Sequence, residues 1–209
     1  MKQNYQLLLD RQLEHIASEQ STPRLLLHVC CAPCSSYVLE YLSRYFAITV
    51  LFYNPNISPA AEYDVRAEEL RRLVATMPLS NPVEVIVSGY DPAPFLNIAK
   101  GREDLPEGGE RCTACYRLRL EESARIAQKD RYDYFTTSLS ISPLKDAERL
   151  NTIGGELATQ YGVPYLFSDF KKREGYKRSI QLSAEYNLYR QDYCGCAYSK
   201  RDAERRKNP

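Results

Sequence analysis

The sequence has few histidines and no long apolar run, and each of these features argues against a class of site or protein. Only two of 209 residues are histidine, so imidazole contributes little to any metal site. The longest uncharged apolar run, residues 46–53, is far shorter than a membrane span. The first 20 residues are polar and charged, with no visible signal peptide. We therefore expect a soluble, cytoplasmic protein with no membrane partner.

Five short apolar stretches alternate with helical patterns along the chain. They predict strands at residues 24–29, 46–53, 83–87, 132–139 and 163–167. Such alternation is typical of parallel βαβ units. The expected fold is therefore a single Rossmann-like, doubly wound α/β domain over residues 1–209, with a mostly parallel five-stranded sheet. Residues 1–22 form a helical extension in this prediction, and residues 170–209 form a basic, helical C-terminal segment.

The loop after the first predicted strand has no glycine. In sheets of this kind, ligands bind where the strands end and the chain enters a helix. A phosphate cradle at that place needs glycines, so that backbone amides approach the anion. Here the loop reads HVCCAPCSS, residues 28–36. The sequence therefore disfavours nucleotide binding and places thiols at the predicted site.

All seven cysteines fall into three close groups. They are Cys30, Cys31 and Cys34, then Cys112 and Cys115, then Cys194 and Cys196. An odd count without a signal peptide argues against a secreted disulfide framework. Thiolate-rich sites select zinc or iron–sulfur clusters, and either centre takes four cysteines. The sequence thus predicts a metal or redox site, with three cysteines left for a second task.

Spacing alone leaves the choice of ligands open. Cys112 and Cys115 share one face of a predicted helix and can hold one centre. Cys30 and Cys31 face the same centre only if the strand ends before them. The glycine of Cys194-Gly195-Cys196 permits a tight bend, and a disulfide across so short a ring is strained and easily reduced. His28 is expected to pack or hydrogen-bond within the sheet.

Five sequence blocks closely resemble the cobalamin-independent epoxyqueuosine reductase family, QueH. They are LLLHVCCAPCSS (25–36), FYNPNI (52–57), RCTACYRLRLEESA (111–124), TTSLSISPLKDAERLNTIG (136–154) and FKKREGYKRSIQLSAEYNLYRQDYCGC (170–196). The resemblance implies reductive removal of the epoxide oxygen of epoxyqueuosine at the wobble position of a tRNA anticodon, giving queuosine. It also implies a fold similar to the adenine-nucleotide hydrolase-like group.

The same resemblance implies the site residues. A four-iron four-sulfur cluster is ligated by Cys30, Cys31, Cys112 and Cys115, and no cobalamin is required. Cys194 and Cys196 form a redox-active pair or ligate one additional iron next to the cluster. Cys34 falls at the position of a possible third ligand of that iron, where relatives can hold Asp. Electrons come from an external donor, and Tyr193, Asp192 and Asp146 are candidate proton donors.

Charge is distributed unevenly along the chain. The formal net charge is only +1, yet residues 170–209 carry 11 Lys or Arg against 5 Asp or Glu. A segment of this kind suits an anionic partner. The residues expected to contact anticodon-loop phosphates are Lys171, Lys172, Arg173, Lys177 and Arg178. Interleaved tyrosines, such as Tyr176 and Tyr193, are candidates for stacking on bases.

Two other functions fit the same residues. One is a zinc-stabilised RNA-binding module, which predicts a colourless protein without redox activity. The other is a thiol-disulfide or tRNA-thiolation enzyme on the same fold. A thiolating enzyme that uses ATP requires the glycine-rich loop that this sequence lacks.

Overall fold

Eight α-helices and four strands make up the computed structural model, which describes residues 3–207. In chain order they are α1 (Tyr5–Ser18), β1 (Arg24–His28), α2 (Ala32–Leu42), β2 (Ala47–Phe52), α3 (Ala60–Thr76), β3 (Val83–Val87), α4 (Ala93–Ala99), α5 (Glu110–Lys129), β4 (Tyr134–Thr137), α6 (Ala147–Tyr161), α7 (Gly175–Glu185) and α8 (Ala197–Lys207). A 3₁₀ turn, Ser138–Ile141, follows β4. The ends of the predicted terminal segments, residues 1–2 and 208–209, lie outside the described residues.

The strands form one parallel sheet in the order β3-β2-β1-β4. Strand β1 lies between β2 and β4, and its Leu26 is in register with both Thr49 and Phe135. A central parallel strand is covered on both faces, which explains why RLLLH has no alternating polar positions. The sequence thus predicts the parallel α/β architecture correctly.

The fifth predicted strand, residues 163–167, is reduced to a single bridge. Phe135 pairs in parallel with Tyr165 only. Pro164 has no N–H for a longer ladder, and the hydroxyl of Thr136 donates to the carbonyl of Leu166. Within residues 3–207 the sheet therefore has four strands, and the expectation of five is corrected.

Helices cover both faces of the sheet. Leu25 and Leu27 of β1 belong to an apolar cluster with residues of α1, α2 and α3. Leu26 points the other way, into a cluster with residues of α5 and α6. The N-terminal helix is therefore packed into the core, through buried Leu9 and Leu13. The grouping of the whole chain into one domain stays a prediction.

None of the helices in the described part of the chain is both long enough and apolar enough to cross a membrane.

Candidate thiol centre

The chain order of the strands reverses between β1 and β4, and the cysteines gather at that point. In an open parallel sheet, the crevice beyond the strand ends at such a reversal is the usual ligand site. The segment after β1 carries the first three cysteines, and the segment after β4 leads through Leu139 and Ile141 to Lys145. A cavity of about 320 Å³ opens between these segments. The topology alone therefore brings the thiols to a cleft.

Cys30, Cys31 and Cys34 form a compact triad at the start of α2. Their three sulfur atoms lie within 4.8 Å of one another, and those of Cys30 and Cys31 are 3.8 Å apart. Because β1 ends at His28, the two adjacent cysteines escape the alternation of a strand and face the same side. Cys31 is the N-cap residue of α2. This spacing of soft ligands makes the triad a possible metal-binding site.

The surroundings of the triad favour one thiolate. Hydrogen bonds from the Cys31 and Cys34 thiols, together with the charges of Arg119 and Arg66, hold the pKa of Cys30 well below its usual value. The pKa values of Cys31 and Cys34 are raised, chiefly because they hydrogen-bond with Cys30. The N-terminus of α2 adds a favourable dipole for negative charge. One sulfur is thus prepared as a nucleophile or metal ligand.

The other four cysteines line a second, smaller cavity that adjoins the first. Cys112 and Cys115 lie one turn apart on α5 and line this cavity together with Cys194 and Cys196. Burial raises the pKa of Cys115 to about 12. Cys194 lines both cavities and so connects the triad to this second set. The structure therefore brings all seven cysteines to one region, while the predicted division into cluster ligands and a redox pair stays a prediction.

Contacts from several elements hold the Cys194-Gly195-Cys196 turn in place. Gly195 has φ +117°, a conformation that favours glycine, and its carbonyl accepts from Ser58 N at 3.0 Å. The amide of Ser199 donates to the Cys196 sulfur at 3.3 Å. Arg66 Nη1 donates to the Cys194 carbonyl at 3.2 Å. These bonds hold the carbonyls of Cys194 and Gly195 and the sulfur of Cys196.

Lys145 supplies a buried cation to the turn. Its Nζ lies 2.9 Å from the Cys194 sulfur and 3.9 Å from a carboxylate oxygen of Glu107. Burial alone lowers the pKa of this lysine, but the neighbouring Cys194 raises it above its ordinary value. The Lys145 ammonium therefore places a positive charge directly beside the Cys194 sulfur.

Within residues 3–207, several buried guanidinium donors beside the thiols have no hydrogen-bond partner. They include Nη2 of Arg66, which lines the larger cavity, and Nη2 of Arg119, which lines the smaller one. Buried polar groups are normally paired, so these donors point to a negatively charged group in the site. A centre ligated by several thiolates is anionic and soft, and the residues present fit it.

Comparison with known proteins identifies the family. Residues 25–202 match the family described as Epoxyqueuosine reductase QueH. The chain belongs to the QueH family. This confirms the resemblance drawn from the sequence, and with it an oxidoreductase of queuosine biosynthesis and tRNA processing.

Named relatives agree over most of the chain. Epoxyqueuosine reductase QueH of Staphylococcus epidermidis is 42% identical over 95% of this chain and 85% of its own. The enzyme of Streptococcus pyogenes is 40% identical over 95% of this chain and 80% of its own, and that of Thermotoga maritima is 35% identical over 84% and 89%. Among solved structures, a predicted tRNA methyltransferase subunit of Methanocaldococcus jannaschii covers 77% of this chain and 74% of its own with a TM-score of 0.49 and 17% identity.

His28 has a structural role in this QueH chain, as the sequence predicts. Its ring nitrogens lie 2.9 Å from the hydroxyl of Thr137 and 3.1 Å from the carbonyl of Tyr53. Burial and the charge of Arg119 lower its pKa to about 3. The ring is therefore neutral at physiological pH and ties β1 to its neighbours.

Most of the predicted RNA-binding residues already have acidic partners. Lys171 pairs with Asp169, Arg173 with Asp10, Lys177 with Glu174 and Arg178 with Glu40. Lys172 is exposed and has no ion pair within residues 3–207. These pairs reduce the local excess of positive charge, and the assignment of the five residues to RNA stays a prediction.

The candidate proton donors separate in the structure. Tyr193 and Asp192 line the larger cavity, whereas Asp146 caps α6 and accepts from the amide of Arg149 at 3.1 Å. Tyr176 also lines the larger cavity, at its exposed rim. Tyr193 and Asp192 therefore stay candidate proton donors, and Asp146 does not line this cavity.

Sequence reasoning missed Arg66, Arg119 and Lys145. Lysine and arginine side chains are usually exposed to solvent, so the sequence pattern predicts exposure at these three positions as well. One signal was present in the chain: Arg119 follows Cys115 by four residues and so shares its face of the helix. A cation on the same helical face as a cysteine pair is a usable marker of a buried centre.

Proposed function

We propose that this chain reduces epoxyqueuosine in tRNA to queuosine at the thiol-lined cleft beyond β1 and β4. The observation that carries the proposal is the convergence of all seven cysteines on two adjoining cavities in a member of the QueH family. Such a thiol site suits two-electron reduction. Family membership does not favour the two other functions, a zinc-stabilised RNA module and a thiol-disulfide or tRNA-thiolation enzyme.

The reaction defines what the cleft must provide. An epoxide becomes an alkene when two electrons and two protons enter and the oxygen leaves as water. The electrons come from an external donor, and the protons come from water or from acidic side chains in the cleft. Tyr193 and Asp192 line the cavity and are positioned to pass protons to the departing oxygen.

The cysteines are the proposed ligands of the redox centre. Cys30, Cys31, Cys112 and Cys115 hold a four-iron four-sulfur cluster, and Cys34, Cys194 and Cys196 hold one additional iron or act as a dithiol. When bound, such centres supply single electrons and a Lewis acid toward the epoxide oxygen. Lys145 donates a hydrogen bond to the Cys194 sulfur, and Arg66 donates to the carbonyl of the same residue.

The larger cavity is the proposed substrate pocket. Its volume of about 320 Å³ suits the modified side chain of a nucleoside, while the rest of the tRNA stays outside. Tyr176 at the rim and Tyr193 inside offer ring faces for stacking. Lys171, Lys172, Arg173, Lys177 and Arg178 lie on the adjoining segment and are the proposed phosphate contacts. We place the enzyme in the cytoplasm, where thiols remain reduced.

Turnover of epoxyqueuosine-containing tRNA tests the function directly. Anaerobically purified protein is reconstituted with iron and sulfide, then incubated with the tRNA and a chemical reductant, and the tRNA is digested to nucleosides for mass spectrometry. We expect loss of one oxygen from the modified nucleoside, with Cys196→Ser inactive and an exposed control, Arg117→Met, fully active. Absence of conversion by the loaded wild type contradicts the function. Full turnover by Cys196→Ser removes both proposed roles of the Cys194 and Cys196 pair.

A further inference from the structure

Arg119 is fully buried beside the cysteines. It lies on α5, one helical turn after Cys115, whose carbonyl accepts from Arg119 Nε at 3.2 Å. Its Nη1 is 3.5 Å from the amide oxygen of Asn54. The group lines the smaller cavity together with Cys112, Cys194 and Cys196. A permanently charged side chain thus sits within the thiol region.

Among the described residues, no carboxylate forms an ion pair with this guanidinium. None of the ion pairs within residues 3–207 includes Arg119, and its buried Nη2 has no hydrogen-bond partner. Burying an unpaired cation is unfavourable, because the group loses its hydration. The nearby groups that can carry negative charge are thiols, above all those of Cys115, Cys194 and Cys30. Ligation of those sulfurs to a metal as thiolates would compensate the charge of Arg119.

Two other buried arginines, which also keep an unpartnered Nη2, each have a set of partners that Arg119 lacks. Arg111, two turns earlier on α5, directs Nη1 at three loop carbonyls, at distances of 2.7 to 3.0 Å. Arg66 pairs with Glu62 at 2.7 Å. Arg119 has neither a set of carbonyls nor a carboxylate. Its surroundings therefore point to the thiol centre as its partner.

We propose that Arg119 is a positioning residue whose buried charge is the counter-charge of a thiolate-ligated metal centre. The inference rests on the metal centre of the proposed function. Removing the charge weakens retention of that centre and makes its reduction potential more negative, because the reduced centre carries the greater negative charge.

Thermal unfolding with and without metal separates this role from a structural one. Arg119→Met removes the charge at similar volume, and Arg119→Lys retains it. Bound metal raises the Tm, and the gain increases with the logarithm of its affinity for the folded state. We expect Arg119→Met to keep or raise the Tm of the metal-free protein and to shrink the gain in Tm on loading with iron and sulfide. A merely structural arginine lowers both Tm values together.

The loaded protein gives two further readouts. Loss of iron to a chelator is expected to be about ten-fold faster in Arg119→Met than in the wild type, with Arg119→Lys in between. The midpoint potential, followed by visible absorbance in a dye titration, is expected to move to more negative values in the same order. Arg117→Met is the matched control, because Arg117 is exposed on the same helix and pairs with Glu156.

The results distinguish the inference from the function. If the wild type loads iron and sulfide, and Arg119→Met matches it in Tm gain, iron loss and potential, Arg119 has no such role and the function stands. If the wild type takes up neither iron nor sulfide, the proposed centre and the inference both fail.

Discussion

Two regions of the molecule present cysteines to the same cleft, and they are built in different ways. The triad of Cys30, Cys31 and Cys34 lies between the end of β1 and the first turn of α2, and so within or next to regular secondary structure. The Cys194-Gly195-Cys196 turn lies between helices and is held by side chains from distant segments, including Arg66 and Lys145. The triad is therefore fixed by the fold, and the turn depends on a few named contacts.

This structural difference predicts different roles for the triad and for the turn. Ligands on strands and helices hold a centre with the precision that tight metal binding needs. A turn fastened by side-chain contacts adjusts more easily when a substrate or a change of oxidation state alters the charge. We therefore expect substitution of Cys30 or Cys31 in the triad to abolish the cluster, and substitutions around the turn to reduce turnover while much of the metal remains.

Substitution in the triad gives the largest expected effect. Cys31→Ser replaces a soft ligand on the rigid element, so iron content and turnover are both expected to fall about 100-fold. Iron analysis and the tRNA assay measure the two quantities. Ser36→Ala, one turn further along the same helix, removes only a hydroxyl bonded to the Pro33 carbonyl and is the control. Retention of normal iron content by Cys31→Ser contradicts the role of the triad.

The backbone of the turn comes next. Gly195→Ala forces a side chain onto φ +117° and places its Cβ 3.0 Å from Arg66 and Ile57. We expect turnover to drop roughly ten-fold with iron content little changed, because the turn shifts but the triad does not. Gly89→Ala is the control, since a Cβ at Gly89 meets nothing within 4 Å. If Gly195→Ala loses as much iron as Cys31→Ser, the turn and the triad do not differ in their role in metal binding.

The charge beside the turn is the third point of comparison. Lys145→Met removes the cation next to Cys194, and Lys145→Arg keeps it. We expect turnover to fall about ten-fold in the first and to recover in part in the second. The effect is measured as the change in the ratio of kcat to KM in the tRNA assay. Identical rates for Lys145→Met and Lys145→Arg exclude a role of the charge.

The basic segment gives the smallest expected effect. Replacing Lys171, Lys172 and Arg173 with glutamate is expected to weaken tRNA binding and to flatten its dependence on salt, since fewer phosphates are neutralised. Lys172→Glu alone measures the contribution of the exposed lysine. Lys177→Glu measures the contribution of a second basic residue in the same segment. Titrations at several salt concentrations measure the slope. A slope unchanged from the wild type removes the three residues from the interface.

Local pattern predicted much of the fold and of the site. The strand at residues 83–87 agrees with β3 at both ends, and the cysteine groups do converge. The strand at 163–167 was predicted because its apolar run outweighed Pro164, whose missing N–H limits the pairing to one bridge. Arg66, Arg119 and Lys145 escaped prediction because burial of a cation depends on tertiary contacts between residues up to 128 positions apart.

The content of iron and acid-labile sulfide in anaerobically purified protein tests the central claim most directly. We expect about four to five irons and about four sulfides per chain, as a four-iron cluster with or without an adjacent iron contains. Zinc alone, with no sulfide even after reconstitution, contradicts a redox centre in this cleft.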